Sequence, residues 1–257
     1  MTYFCTLASG SSGNCCLYVS DRVCILIDAG TTAKYITVAL AKLGLTPTDL
    51  THILVTHGHS DHVSALPVLL KRTGAKVYCT WETAGHIRFP EGRRAEIFMP
   101  GERLDLPGCP VQTFPTPHDI PGSCGFVLGE GSKRVAVCTD LGIMTGEIFS
   151  HIQGSALVCL ESNHDEVLLK NGPYPYPLKQ RILSDFGHLS NAACSTVAVR
   201  LARTGTRNLI LAHLSRENNH PRLALETTLD ALRQAGADAD AVVQVAPAAE
   251  PGDPVLL

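Results

Sequence analysis

Short apolar runs separated by turn residues open the chain. They predict strands over 3–7, 15–19 and 23–27. A helical spacing of apolar residues follows over 32–43, and Gly44 marks its end because glycine readily adopts the left-handed conformation found after helices. A second helix is predicted over 62–72, where the apolar residues fall on one face.

The alternation of strands and helices continues to residue 235. Further strands are predicted over 76–79, 111–115, 124–128, 134–138, 156–160 and 207–212. Helices are predicted between 138 and 156 and over 176–184, 191–203 and 221–235. Strands interleaved with helices in both halves predict an α/β fold, a four-layer αββα sandwich in which two mixed β-sheets pack face to face with helices outside.

Length and composition predict one compact domain. A chain of 257 residues that is 45% apolar is able to bury a large core. We expect this domain to cover residues 1–247, and we expect the Ala- and Pro-rich residues 248–257 to form a short surface tail.

The chain start and the cysteines predict a cytoplasmic protein without a membrane partner. No apolar run reaches the roughly 20 residues that span a bilayer, and residues 1–5 lack the basic region of a secretory signal. The ten cysteines contain no C-x-x-C pair and are scattered through apolar segments, which predicts buried, reduced thiols.

The formal net charge of −3 argues against a general affinity for nucleic acid. Any such affinity must be local. The pairs Lys71-Arg72 and Arg93-Arg94 are candidates for a positive rim around a substrate cleft.

A dense cluster of metal-binding residue types follows the apolar run 53–55. The segment Thr56-His57-Gly58-His59-Ser60-Asp61-His62 holds three imidazoles and a carboxylate. In an extended backbone residues two apart point the same way, so His57 and His59 are expected to converge on one ion, and Asp61 and His62 on a second. The spacing predicts a two-metal centre.

Three further candidate ligands each stand where a predicted strand ends. These are His118, Asp140 and His213. Strand ends of a packed sheet are rigid, which suits the narrow distances that a divalent ion accepts. His52, His86, His151 and His220 lack such a setting and are expected to be structural or solvated.

The His-x-His-x-Asp-His pattern, the upstream Asp28-Ala29-Gly30 turn and the strand-end ligands resemble the metallo-β-lactamase superfamily of hydrolases. The resemblance implies that His57, His59 and His118 hold one divalent ion and that Asp61, His62 and His213 hold the other. It implies that Asp140 bridges them. Zinc, manganese and iron all suit this set of nitrogen and oxygen ligands.

Later blocks resemble the YycJ/WalJ-like group of that superfamily. The blocks are residues 7–14, 160–165, 173–175, 181–185, 187–191 and 212–219, so the resemblance covers essentially residues 1–235. It implies a binuclear metal-dependent phosphodiesterase, namely a 5′-to-3′ exonuclease acting on DNA. The resemblance leaves the oligomeric state open.

Candidate catalytic residues lie in the same blocks. Asp61 is expected to orient the attacking water as well as to bind metal. His188 resembles the histidine in the Gly-His-Ser segment of tRNase Z and is the preferred proton donor, with Glu161 orienting it and His164 as an alternative donor or substrate contact. Arg216, which resembles an arginine of the tRNase motif, and Asn218 are expected to contact substrate phosphate.

Two other functions are compatible with the same residues. The first is hydrolysis of a small-molecule ester, thioester, lactone or cyclic phosphodiester, which the lack of a basic surface favours. The second is a non-catalytic metal-binding regulator, against which the full ligand set argues.

Overall fold

The computed structural model describes residues 1–257 and contains fourteen strands and nine α-helices. The strands are β1 (Tyr3–Ala8), β2 (Cys15–Val19), β3 (Cys24–Ile27), β4 (His52–Leu54), β5 (Lys76–Cys79), β6 (Ala95–Ile97), β7 (Arg103–Leu106), β8 (Cys109–Pro115), β9 (Cys124–Leu128), β10 (Val135–Cys138), β11 (Leu157–Glu161), β12 (Asn208–Ala212), β13 (Val242–Val245) and β14 (Val255–Leu256). The helices are α1 (Ala33–Lys42), α2 (Ser60–Val63), α3 (Leu66–Leu69), α4 (Trp81–Ala84), α5 (Gly146–Ile152), α6 (Glu166–Asn171), α7 (Tyr176–Ile182), α8 (Asn191–Arg203) and α9 (Pro221–Gln234).

The strands form two mixed seven-stranded sheets. The first has the order β14-β1-β2-β3-β4-β5-β6, and the second has the order β13-β12-β11-β10-β9-β8-β7. In the first sheet β3 to β6 run parallel, and in the second β10 to β13 run parallel. The remaining registered pairs are antiparallel.

The chain divides into two compact units. The first comprises residues 1–113, 120–124 and 247–257 and contains the whole of the first sheet. The second comprises residues 114–119 and 125–246 and contains β10 to β13. Each unit has its own apolar cluster of fully buried strand residues and inward-facing helix residues. The single domain predicted for residues 1–247 stays a prediction.

Parallel pairing in register places the carboxyl ends of neighbouring strands at one edge of a sheet. In the first unit Ile27 of β3 aligns with Leu54 of β4, and Leu54 aligns with Tyr78 of β5. In the second unit Cys138 aligns with Leu160, and Leu160 aligns with Leu211. Because paired strands lie about 4.8 Å apart, polar residues that follow these strands are brought within reach of one another.

The predicted helix over 62–72 is wrong, because the structure has two short helices there, α2 and α3. The amide of Ala65 leaves the helical pattern and donates to the carbonyl oxygen of Ala29 (2.8 Å). Pro67 has no amide hydrogen to continue the ladder. The break lets α2 carry the end of the histidine cluster while α3 buries Leu66 and Leu69 in the core.

Short edge strands are among the elements that periodicity missed, together with the short helices α4 and α6. β6, β7 and β13 are three or four residues long and largely exposed or half-buried, so their apolar pattern is weak. The predicted surface tail contains a strand, since Val255 and Leu256 of β14 pair antiparallel with β1. None of the nine helices combines the length and apolar character needed to cross a bilayer.

All ten cysteines are buried, most of them on strands. For several of them, burial is the main cause of a raised pKa. It raises the pKa of Cys5 to about 11 and those of Cys24 and Cys79 to about 12. These thiols are apolar core residues.

The turn at Gly30 fixes the backbone of the histidine cluster. A methyl group on Gly30 would overlap the carbonyl oxygen of Asp61, which accepts a hydrogen bond from the amide of Asn14 (2.8 Å). No side-chain rotation relieves such an overlap, since it involves main-chain atoms.

We therefore expect Gly30→Ala to lower the free energy of unfolding by about 1–3 kcal/mol, the usual effect of overpacking a tight site. Denaturant unfolding measures the change. Gly74→Ala is the matched control, because nothing lies within 4 Å of the added methyl group there. Equal stabilities of the two variants would contradict the overlap.

Candidate metal centre

The first unit brings the histidine cluster together directly after β4. His57 Nε2 lies 3.1 Å from His59 Nδ1, and the ring centroids of His57 and His62 are 4.0 Å apart. Both His57 and His62 are completely buried. Asp61 Oδ2 lies 3.5 Å from His62 Nε2. The four residues predicted from the motif therefore converge.

Asp28, which follows β3, orients this cluster. Its carboxylate accepts hydrogen bonds from the amide and hydroxyl of Thr56, both at 2.8 Å, and its Oδ2 lies 2.7 Å from His62 Nδ1. A carboxylate at Nδ1 makes that nitrogen the donor and leaves Nε2 as the ligand atom.

Asn14 contacts the same residues and was not among the predicted site residues. Its side-chain nitrogen lies 3.2 Å from Asp61 Oδ2 and 3.0 Å from His62 Nε2, and its Oδ1 accepts from the amide of Gly10 (2.9 Å). The Gly-Ser loop between β1 and β2 is thus tied to the cluster. A lone asparagine 47 positions before Asp61 carries no spacing signal that would reveal this contact.

The second unit forms its own cluster at the ends of β10, β11 and β12. Ligand atoms of Asp140, Glu161, His188 and His213 all lie within 4.8 Å of one another, which makes this His/Asp/Glu group capable of holding a metal ion. His118 Nε2 lies 3.8 Å from Asp140 Oδ1. The structure therefore collects every predicted ligand that belongs to this unit.

Glu161 is the fully buried centre of that cluster. Its Oε1 accepts from Nδ1 of His188 and Nδ1 of His213, each at 2.8 Å. Its Oε2 accepts from the amides of Leu141 (3.1 Å) and Leu189 (3.2 Å). Burial by itself would raise the pKa of Glu161, but the two imidazoles hold this pKa well below the usual range. The carboxylate is therefore ionised and fixes both rings.

The donor set fits divalent ions. His62 and His213 each point Nδ1 at a carboxylate, and His118 points Nδ1 at the carbonyl oxygen of Gly187 (3.3 Å). Histidines that bind metal almost always donate their second nitrogen in this way, which directs Nε2 toward the ion.

His188 and His164 differ in their suitability as proton donors. The His188 side chain is 16% exposed, and its Nδ1 lies 2.8 Å from Oε1 of Glu161. His164 is 1% exposed, neither of its ring nitrogens has a hydrogen-bond partner, and burial lowers its pKa to about 4. A buried imidazole that is neutral at pH 7 is a poor acid, which argues against His164 as the proton donor, and its burial argues against a contact with substrate.

The two predicted phosphate contacts also differ. Arg216 is exposed, three residues after His213. Asn218 is fully buried. Its main-chain amide donates to Ser215 Oγ (3.2 Å), and its main-chain carbonyl oxygen accepts from the amide of Asp165 (2.9 Å). Asn218 therefore connects loops inside the protein, and the predicted contact between Asn218 and substrate phosphate is wrong.

His86 is close to the first cluster, although it was expected to be structural or solvated. A Cβ built on Gly58 would lie 2.7 Å from Cγ and Cδ2 of His86, so the imidazole packs directly on the backbone between His57 and His59. The His86 side chain is otherwise exposed.

The basic pairs do not border the first cluster. Arg93 donates to the carbonyl oxygens of Thr73 (2.8 Å) and Ala75, beside Lys76 at the start of β5. Since β4 and β5 run parallel, this is the opposite end of the strands from the histidine cluster. The positive rim predicted from Lys71-Arg72 and Arg93-Arg94 is therefore wrong for this cluster.

Sequence comparison finds a protein family and relatives that match most of the chain. A family model described as the metallo-β-lactamase superfamily matches residues 8–213. Exodeoxyribonuclease WalJ of Streptococcus pneumoniae serotype 2 is 34% identical over 235 residues, which cover 89% of this chain and 87% of the relative. Exodeoxyribonuclease YycJ of Bacillus anthracis is 32% identical over 239 residues, which cover 91% of this chain and 90% of the relative.

Solved structures of the same fold cover nearly the whole chain. The metallo-β-lactamase fold protein YhfI from Bacillus subtilis matches with a TM-score of 0.68 at 17% identity over 98% of this chain and 100% of its own. Zn²⁺-bound PqqB from Methylobacterium extorquens matches with a TM-score of 0.70 at 14% identity over 98% and 99%. These likenesses confirm the predicted α/β sandwich with two mixed sheets, and the family match extends over more than two thirds of the sequence. The chain therefore belongs to the metallo-β-lactamase superfamily of hydrolases.

Proposed function

We propose that this protein is a metal-dependent exodeoxyribonuclease that removes nucleotides from the 5′ end of DNA. The observation that carries the proposal is the set of candidate metal ligands in both units, in which buried carboxylates orient His62 and His213. Relatives named exodeoxyribonucleases that align over about nine tenths of the chain support this substrate. The cytoplasmic location stays a prediction.

The proposed ligands are those of the superfamily pattern. His57, His59 and His118 would hold one divalent ion. Asp61, His62 and His213 would hold the second, and Asp140 would be shared by both. Zinc and manganese are the proposed metals, and iron suits the same ligands. When bound, the ions supply a nucleophile at neutral pH and stabilise the charge that develops on a phosphoryl oxygen.

The protein side chains supply the remaining steps. Asp61 orients the attacking water. His188, held by the ionised Glu161, donates the proton that the leaving alkoxide requires. Arg216 binds a phosphate oxygen through its forked guanidinium.

The first test is digestion of end-labelled DNA and RNA by protein loaded with Mn²⁺ or Zn²⁺. We expect nucleotides to be released from the 5′ end of DNA, and we expect His59→Ala to lower the rate by at least about 100-fold, since even partners of metal ligands cost 10–100-fold. Intact DNA with every metal would rule out the proposed nuclease. His220→Ala changes an exposed histidine of the second unit and serves as the control for histidine removal.

The second test removes the charge of the buried carboxylate. Glu161→Gln places an amide against two imidazole N–H groups, so we expect metal affinity and DNA digestion to fall by about 10–100-fold. Titration calorimetry with Zn²⁺ measures the affinity. Glu226→Gln is the matched control, because Glu226 is an exposed residue that pairs with Arg222 on the surface of α9. Wild-type affinity in Glu161→Gln would refute the orienting role of this carboxylate.

Hydrolysis of a small molecule is the second candidate, and the position of the basic pairs favours it. The guanidinium of Arg93 lies at the far end of β5 from the histidine cluster, in a protein whose net charge is −3. Turnover of bis(p-nitrophenyl) phosphate compared with thioester and lactone substrates separates the two functions. Activity on carboxyl esters alone would favour the second candidate.

A further inference from the structure

Trp81, the only tryptophan of the chain, is 76% exposed. Tryptophan is normally among the most buried residues on average, so a largely exposed indole is available for a contact outside the domain. The surrounding segment is anchored by Thr83 and Ile87, which are buried. The core therefore does not require the indole ring.

Strand register places Trp81 at the edge of the sheet that carries the histidine cluster. Leu54 of β4 and Tyr78 of β5 are aligned partners in parallel strands. His57 and Trp81 each follow their aligned residue by three positions. The start of α4 and the start of the cluster consequently emerge side by side.

His86 extends the same surface onto the cluster itself. Its imidazole packs on Gly58, between His57 and His59, and its remaining surface is exposed. Gly58 permits this close approach because a Cβ there would overlap the ring. The segment 81–86 therefore presents one indole and one imidazole beside the proposed metal ligands.

Hydrogen bonds hold this segment in place. Thr80 caps α4 by accepting from the amide of Thr83 (3.3 Å), and its hydroxyl donates to the carbonyl oxygen of Gly122 (3.1 Å). Cys124 in turn donates its amide to the carbonyl oxygen of Thr56 (3.1 Å), next to His57. A surface that is already rigid loses little conformational entropy when a ligand binds.

We propose that Trp81 and His86 form a stacking platform for unpaired nucleobases next to the metal centre, an inference that rests on the proposed nuclease function. Every base has a flat π-face, so stacking on aromatic rings needs no particular sequence. It also needs no positive charge, which suits a protein of net charge −3 whose basic pairs lie at the other end of β5. The platform would direct the enzyme to single-stranded or frayed ends.

The single tryptophan makes the platform directly observable. We expect a single-stranded phosphorothioate oligonucleotide, which resists cleavage, to quench the fluorescence of the metal-loaded protein. We expect an abasic strand of equal length to leave the fluorescence unchanged, because it has phosphates but no bases. Fluorescence anisotropy of a labelled oligonucleotide measures its affinity, which should fall about 5- to 100-fold in Trp81→Ala. Val38→Ala, which changes an exposed apolar residue of α1, is the control.

Three outcomes distinguish failure of the platform from failure of the nuclease. Digestion of DNA by a protein whose fluorescence does not respond to the oligonucleotide, with wild-type affinity in Trp81→Ala, would overturn the platform and leave the nuclease standing. Equal quenching by the based and abasic strands would also overturn the platform. Absence of both digestion and binding with every metal would overturn the nuclease, and the platform with it.

Discussion

In-register pairing of parallel strands is the constraint on which the polar chemistry of each unit depends. Asp28, the histidine cluster and Thr80 follow β3, β4 and β5 at one edge of the first sheet. Asp140, Glu161 and His213 end or follow β10, β11 and β12 at one edge of the second. The strands themselves are almost wholly apolar and buried, so their positions are set by the core and not by the ligands they carry. A ligand set built in this way is largely preorganised.

Backbone strain is concentrated at the same edges. Asp28, Asp140 and His213 are the only residues other than glycine with positive φ, at 60°, 58° and 57°. Such a conformation costs about 1–3 kcal/mol for each residue and persists only where the surroundings impose it. For His213 one such restraint is visible, because the side-chain amide of Asn163 donates to its carbonyl oxygen (2.8 Å). Strain of this kind turns a side chain out of the strand direction and toward the site.

The sequence revealed those parts of the site whose signal is local. The cluster over 57–62 was readable because four candidate ligands stand within six positions, and His118, Asp140 and His213 were readable because each follows an apolar run. Asn14 and His86 were missed because their contacts depend on the packing of distant loops. The break in the predicted helix over 62–72 depends on a hydrogen bond to Ala29, 36 positions from Ala65, which no periodicity displays.

The distribution of the cysteines has a practical consequence. With a pKa of about 11, a thiol such as that of Cys5 is ionised in roughly one molecule in ten thousand at pH 7, and its sulfur is also shielded by the core. Alkylating reagents therefore find almost no reactive sulfur in the folded protein. The rate at which the ten thiols react with such a reagent therefore measures how often the fold opens globally. Both units contain buried thiols that report this opening, for example Cys79 in the first unit and Cys194 in the second.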